Sequence, residues 1–131
     1  MPITYRLNPP VANAELDELY LAAWPNHKAP FDFGPELSHA LVYVCAYSSE
    51  RLVGFVRIAW DGGVHAFVLE PTVHREFQRQ GIGKTLVAKA ADAAMERGMH
   101  WLHVDFEPHL RDFYRACGFT PTDAGLIRLG P

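Results

Sequence analysis

Long apolar runs, cysteines and an excess of either charge are all scarce in this chain. No stretch approaches the ~18 apolar residues that a membrane-spanning helix requires, and the opening Met1-Pro2-Ile3-Thr4-Tyr5-Arg6 has no apolar core of the kind that directs secretion. Only two cysteines, Cys45 and Cys117, are present. Neither stands at a metal-ligand spacing, and two thiols in apolar-patterned segments do not make a disulfide framework. The expectation is a reduced, cytoplasmic protein with no metal and no membrane partner. Twelve basic against 15 acidic side chains leave a formal charge of -3, which argues against a nucleic-acid partner. Repeats, low-complexity stretches and composition breaks are missing too. Residues 1–131 therefore read as a single domain, large enough to bury roughly two thirds of its unfolded surface.

What is present is a sequence that changes hydrophobic period several times. Residues 3–7 alternate as a short strand, ended by Asn8-Pro9-Pro10. Leu16, Leu19, Tyr20 and Ala23 share one helix face, and Glu15, Asp17 and Glu18 load the first turns in keeping with the macrodipole. Residues 26–38, with two prolines and the aromatics Phe31 and Phe33, read as a long loop, and such loops in small domains are usually functional. Strands follow at 40–47, 51–60 and 64–73, joined by Ser48-Ser49-Glu50 and Asp61-Gly62-Gly63 as an antiparallel meander. Ile82, Leu86, Ala90 and Ala94, flanked by Val87, Ala91 and Met95, then mark a helix stopped by Gly98. Residues 99–106 form a strand parallel to the previous one through a right-handed crossover. A short helix runs from Pro108 to Cys117, and residues 119–122 and 126–129 are expected to close the sheet as a strand pair. The order is an α+β arrangement of six or seven strands, mostly antiparallel, with helices on both faces.

Between the fourth strand and the long helix lies Val73-His74-Arg75-Glu76-Phe77-Gln78-Arg79-Gln80-Gly81-Ile82-Gly83-Lys84-Thr85. Two glycines at a strand-to-helix turn let the backbone fold tightly and leave N–H groups pointing outward, a nest suited to phosphate oxygens. His74, Arg75, Arg79, Lys84 and Lys89 surround it with positive charge, which on an acidic chain points to a discrete polyanion. Three loop patterns compete. A dinucleotide fingerprint would need a third glycine where Val87 stands; a Walker A loop would need a glycine where Gln78 stands. The third, Gln/Arg-x-x-Gly-x-Gly/Ala, is met by Gln78, Gly81 and Gly83.

That third pattern resembles the acetyl-CoA pyrophosphate loop of the GNAT (GCN5-related) N-acetyltransferases. Phe113-Tyr114-Arg115-Ala116-Cys117-Gly118-Phe119 is similar to the F-Y-x-x-x-G-F signature of the same family, and the expected element order matches its fold over about 41–129. The resemblance implies parallel fourth and fifth strands that splay apart, with the cofactor arm between them. It implies that Thr72 and Val73 bond the arm through their backbone, and that Gln78, Arg79, Gln80, Gly81, Ile82, Gly83 and Lys84 hold the pyrophosphate. It further implies that Tyr114 protonates the departing thiolate. The function implied is acetyl transfer from acetyl-CoA to a primary amine of a small molecule or peptide, by direct attack in a ternary complex. Glu70, expected to be buried among Val68, Leu69 and Pro71, is the candidate general base, with a substrate-orienting or salt-bridging role as its alternative and His65 and His103 as rival bases. Asp105 is a candidate for binding a cationic acceptor, or for capping the next helix, and Trp24, Phe31 and Phe33 for walling the acceptor pocket. Exposed edge strands near the carboxyl terminus leave room for a homodimer. Two positions depart from the family pattern: Glu107 replaces a common asparagine whose amide contacts the arm, and Arg75 replaces a proline. The alternative from another class is a non-catalytic acyl-CoA-binding sensor or interaction module.

Overall fold

The computed structural model describes residues 2–131. Five strands form one sheet in sequential order: β1 (Ile3–Leu7), β2 (Val42–Ser48), β3 (Arg51–Trp60), β4 (His65–Val73) and β5 (Trp101–His103). The first four are antiparallel neighbours, and β5 lies parallel to β4. The four α-helices are α1 (Asn13–Ala23), α2 (Gly34–Ser38), α3 (Ile82–Glu96) and α4 (Arg111–Ala116), with single 3-10 turns at Arg75–Phe77 and Pro108–Leu110. None of these helices is long and apolar enough to cross a membrane.

Two-residue periodicity explains why the sheet is covered on both sides. Along β2, Val44 and Ala46 face the side where Ile82, Leu86, Ala90, Ala93 and Ala94 of α3 pack. Cys45 and Tyr47 face the other side, against Leu16, Leu19 and Tyr20 of α1 and Phe33. Gly54 in β3 is the point of closest approach by α3: a Cβ there would lie 3.0 Å from Leu86 Cδ1, 3.1 Å from Ala46 Cβ and 3.2 Å from Ile82 Cγ2. The helix face drifts slightly from expectation, since Met95 is exposed and Ala93 takes the buried place.

Two departures concern the sheet edge. The fifth strand covers only Trp101–His103 where 99–106 was expected, so its pairing with β4 stops at Phe67↔His103. The strand pair expected at 119–122 and 126–129 does not form, and the sheet has five strands in place of six or seven. A three-residue edge offers little ladder to extend, and Pro121 and Gly125 interrupt the segment. Residues 121–126 instead roof the cavity beyond the end of β5, and Leu126, Ile127 and Leu129 are exposed.

Candidate active site

The site is built where β4 outruns β5. Beyond Phe67, β4 continues to Val73 with β3 on one side only, so the backbone of 68–73 has no strand partner on the side facing β5. A bulge within this stretch sets two residues, Glu70 and Pro71, against Val56, and Glu70 adopts φ +52°. Bulges re-aim the side chains that follow them. Here Thr72 turns into the α1 face, buried, donating from Oγ1 to the Glu70 carbonyl at 2.8 Å and accepting from Trp24 Nε1 at 3.2 Å. The end of α1 is thereby tied to β4.

The loop after β4 is braced from within. The His74 N–H donates to Val53 O at 2.9 Å, and the Gln78 side chain folds back to donate to Val73 O at 3.1 Å. Arg79 (φ +64°) and Gly81 (φ +81°) are both left-handed, which turns the chain into α3 with no side chain capping the helix. The first helical bond is from Thr85 N to Gly81 O. The N–H groups of Ile82, Gly83 and Lys84 are thus the unsatisfied donors that every helix start leaves. Arg75 and Arg79 of the loop and Lys84 of the first helical turn are exposed. His74 and Lys89, expected in the same cradle, belong elsewhere. His74 is buried, its Nδ1 accepting from Glu76 N at 3.1 Å and its Nε2 3.0 Å from Arg51, and Lys89 sits over the Tyr5 ring. Burial, then the Arg51 guanidinium, hold the His74 imidazole below its usual pKa.

Tyr114 is held in an aromatic cluster, stacked on Phe106 at 4.8 Å between ring centroids and edge-on to Phe113 and Phe119. It borders a cavity of about 680 Å³ together with Val68, Glu70, Pro71, Asp105 and Glu107. Burial pushes its hydroxyl up to about pKa 12, helped by the Cys117 thiol and the Asp105 carboxylate, so it stays protonated at neutral pH. Asp105 is exposed and caps nothing, contrary to the capping expectation. His65 and His103, considered as bases, lie 2.8 Å apart on the exposed surface of β4 and β5, and neither borders this cavity.

A second cavity, about 420 Å³, opens beside the first and shares Trp24 and Glu70 with it. Its walls are aromatic, and Phe31 and Phe33 are where the acceptor pocket was expected. Asn13 fixes this wall: its Oδ1 accepts from Phe33 N at 3.0 Å and its Nδ2 donates to Asp32 at 3.2 Å. Glu70 corrects another expectation. Its side chain is 48% exposed and paired with Arg57 at 3.0 Å, because the bulge swings it out from Val68 and Leu69 toward β3. Arg57 also approaches Glu36 at 3.6 Å, and its Nε is buried without a partner.

Sequence reading misses four of the side chains here. Asp17 reads as macrodipole compensation and His27 as a residue of the long loop, yet Asp17 is buried and bound to His27 at 2.7 Å. Tyr20 was assigned to the core and also lines the second cavity, where burial, chiefly, raises its hydroxyl pKa. Arg57 was passed over inside a strand; a charged residue between Val56 and Ile58 was the available signal.

The Acetyltransferase (GNAT) family model matches residues 10–119, and the chain belongs to that family. It is 32% identical over 79 residues to the uncharacterized N-acetyltransferase ycf52 of Porphyra purpurea, covering 60% of this chain and 45% of that one. The chain thus spans somewhat less than half the length of that relative. Among solved structures it resembles a GNAT-family acetyltransferase of Streptococcus pneumoniae TIGR4, with TM-score 0.82, 27% identity and 98% coverage of both chains. The aminoglycoside N-acetyltransferase AAC(6')-Iy, solved with a bisubstrate analogue of coenzyme A, shares the fold, with TM-score 0.79, 16% identity and coverage of 100% and 99%.

Proposed function

We propose that this chain transfers the acetyl group of acetyl-CoA to the primary amine of a small molecule or peptide, by direct attack in a ternary complex. The observation that carries this reading is the meeting of two cavities at Trp24 and Glu70, one bordered by Tyr114 and the other walled by aromatic rings. A two-substrate reaction needs two such compartments with a shared mouth. The residues present fit a coenzyme A thioester. The free edge of β4 over 68–73 offers backbone donors and acceptors to an extended amide-bearing arm. The unsatisfied amides of Ile82, Gly83 and Lys84, with Arg79 and Lys84 beside them, suit a diphosphate.

When bound, the thioester supplies an activated acetyl carbon and a thiolate leaving group. The chain's residues supply the rest. One backbone N–H at Thr72 or Val73 is the candidate to stabilise charge on the thioester oxygen, a contribution that a preorganised donor makes without reorganisation. Tyr114 holds its proton until sulfur requires it. Glu70, paired with Arg57, is a carboxylate positioned between the compartments, where it attracts a cationic acceptor.

The reading is tested by following thiol release from acetyl-CoA with a panel of primary amines, alongside calorimetric titration of acetyl-CoA and free coenzyme A. Binding together with amine-dependent thiol release is the expected result. Glu107, which borders the cavity at the position where the family pattern has an asparagine, favours a second reading as an acyl-CoA-binding module without catalysis. Binding with no turnover on any amine would support that one.

A further inference from the structure

The acetyl-transfer reading leaves without a role a buried pair, Asp17 and His27, of which His27 lines the second cavity. Asp17 lies on the apolar face of α1 between Leu16 and Tyr20, and its carboxylate is satisfied twice: Oδ1 by His27 Nε2 at 2.7 Å and Oδ2 by the Phe31 N–H at 3.2 Å. Both side chains of the pair are only 11% exposed. A carboxylate taken out of water this far costs several kcal/mol unless it is fully bonded, so the arrangement holds the imidazole in a fixed place. Three rings fix its plane as well: Tyr20 at 5.2 Å, Phe33 stacked at 6.0 Å and Phe31 at 6.3 Å between centroids.

The hydrogen bond also selects the tautomer. With Nε2–H donating to Asp17, the neutral ring carries its lone pair on Nδ1, and among the described residues no protein group bonds that atom. His27 borders the second cavity. Glu70 is differently placed, since its carboxylate is already engaged by Arg57 at 3.0 Å. The chemistry of the walls narrows the acceptor. Aromatic faces beside the carboxylates of Glu36 and Glu70 suit an ammonium on a flat apolar body, held by cation–π and charge attraction. A polyhydroxylated amine would leave hydroxyls unpaired against those rings, at roughly 1–3 kcal/mol for each unsatisfied group.

We infer that the second cavity seats an arylalkylammonium acceptor and that His27, held in place by Asp17, takes the amine's proton. The inference rests on the acetyl-transfer reading and names the acceptor class and base of that site. The N–H bond of the ammonium breaks, its electron pair stays on nitrogen and the proton passes to His27 Nδ1. The freed pair forms the C–N bond to the acetyl carbon as the C=O π pair moves onto oxygen. The oxygen pair then re-forms C=O as the C–S bond breaks with its pair on sulfur, which takes the Tyr114 proton, and the second nitrogen proton returns to the Tyr114 oxygen. His27 gives its proton to solvent. His27 is catalytic in this scheme, and Asp17 is a positioning residue.

The test compares phenethylamine with kanamycin as acceptors for the full chain, for His27→Ala, for His27→Gln (which keeps a donor toward Asp17) and for Asp17→Asn. Acetyl-CoA affinity is measured calorimetrically for each. The expected result is a kcat/KM at least ~10-fold higher for phenethylamine. His27→Ala should lower kcat by ~10²-fold or more with acetyl-CoA affinity unchanged, and added imidazole should restore part of the loss. His27→Gln should show the same fall in kcat, and Asp17→Asn a smaller fall in kcat with KM for the amine little changed. Unaltered kcat in either His27 variant, no gain from imidazole, or turnover of kanamycin and not phenethylamine would overturn the inference while leaving acetyl transfer standing. Acetyl-CoA binding without turnover of either amine would also overturn it. A wild-type chain that fails to bind acetyl-CoA would remove the acetyl-transfer reading itself.

Discussion

Replacing Gly54 by alanine links the packing of the fold to the function proposed for it. The new methyl group would stand 3.0 Å from Leu86 Cδ1, 3.1 Å from Ala46 Cβ and 3.2 Å from Ile82 Cγ2. Leu86 can rotate only into a fully buried environment, and the Ala46 Cβ is rigidly attached to the neighbouring strand, paired directly opposite Gly54. Overpacking of this kind costs about 1–3 kcal/mol. Alanine returns about 0.5–1 kcal/mol of that by restricting the unfolded chain relative to glycine. The net cost is up to about 2.5 kcal/mol, or a fall in Tm of up to roughly 10 °C for a chain of this length. Because Ile82 opens α3, the strain falls on the amides proposed to hold the diphosphate, so acetyl-CoA affinity should drop as well. The assay is thermal melting of Gly54→Ala, Ala46→Gly and the double variant, with calorimetric titration of acetyl-CoA. Removing the Ala46 methyl should relieve the clash and give a favourable coupling of at least about 0.5 kcal/mol between the two sites. Strictly additive effects of the two substitutions would refute the close approach.

Two further outcomes are expected. Gly81→Ala meets no neighbouring atom but must hold φ +81°, so it should lose about 1–2 kcal/mol by backbone strain alone and bind acetyl-CoA more weakly; an unchanged melting temperature would contradict this. His74 is held below its ordinary value of 6.5 by burial and then by Arg51, with Arg75 adding to the depression and Glu76 and Glu18 opposing it. The unfolded chain therefore takes up this proton first as pH falls. The stability it confers is complete above about pH 6.5 and is lost as pH drops through the lower folded value. Melting curves between pH 7.5 and 5 should fall more steeply for the wild type than for His74→Gln, and parallel curves would show that His74 is not the titrating group.

The parts legible in the sequence were those in which a local pattern and a tertiary demand coincide. The glycine pair at 81 and 83 and the four-residue steps from Ile82 to Ala94 need only the chain itself to be read, and α3 begins and ends close to expectation. The alternation at 126–129 has the same local appearance, but a strand requires an edge to pair with, and β5 is three residues long. Asp17 shows the opposite failure. One helical turn of acids looks like macrodipole compensation, and only the fold of the 26–38 loop, pinned by Asn13 to Phe33, brings His27 beside it. The position of Glu70 was legible and its surroundings were not, since a one-residue bulge opposite Val56 decides which way it turns.

Acetyl transfer with Tyr114 as the proton donor is tested most directly by comparing wild type and Tyr114→Phe in amine-dependent thiol release at saturating acetyl-CoA. The ring remains stacked on Phe106 in the variant, so folding and coenzyme affinity should be retained while kcat falls ~10²–10⁴-fold. A Tyr114→Phe chain that turns over as fast as the wild type would contradict that role.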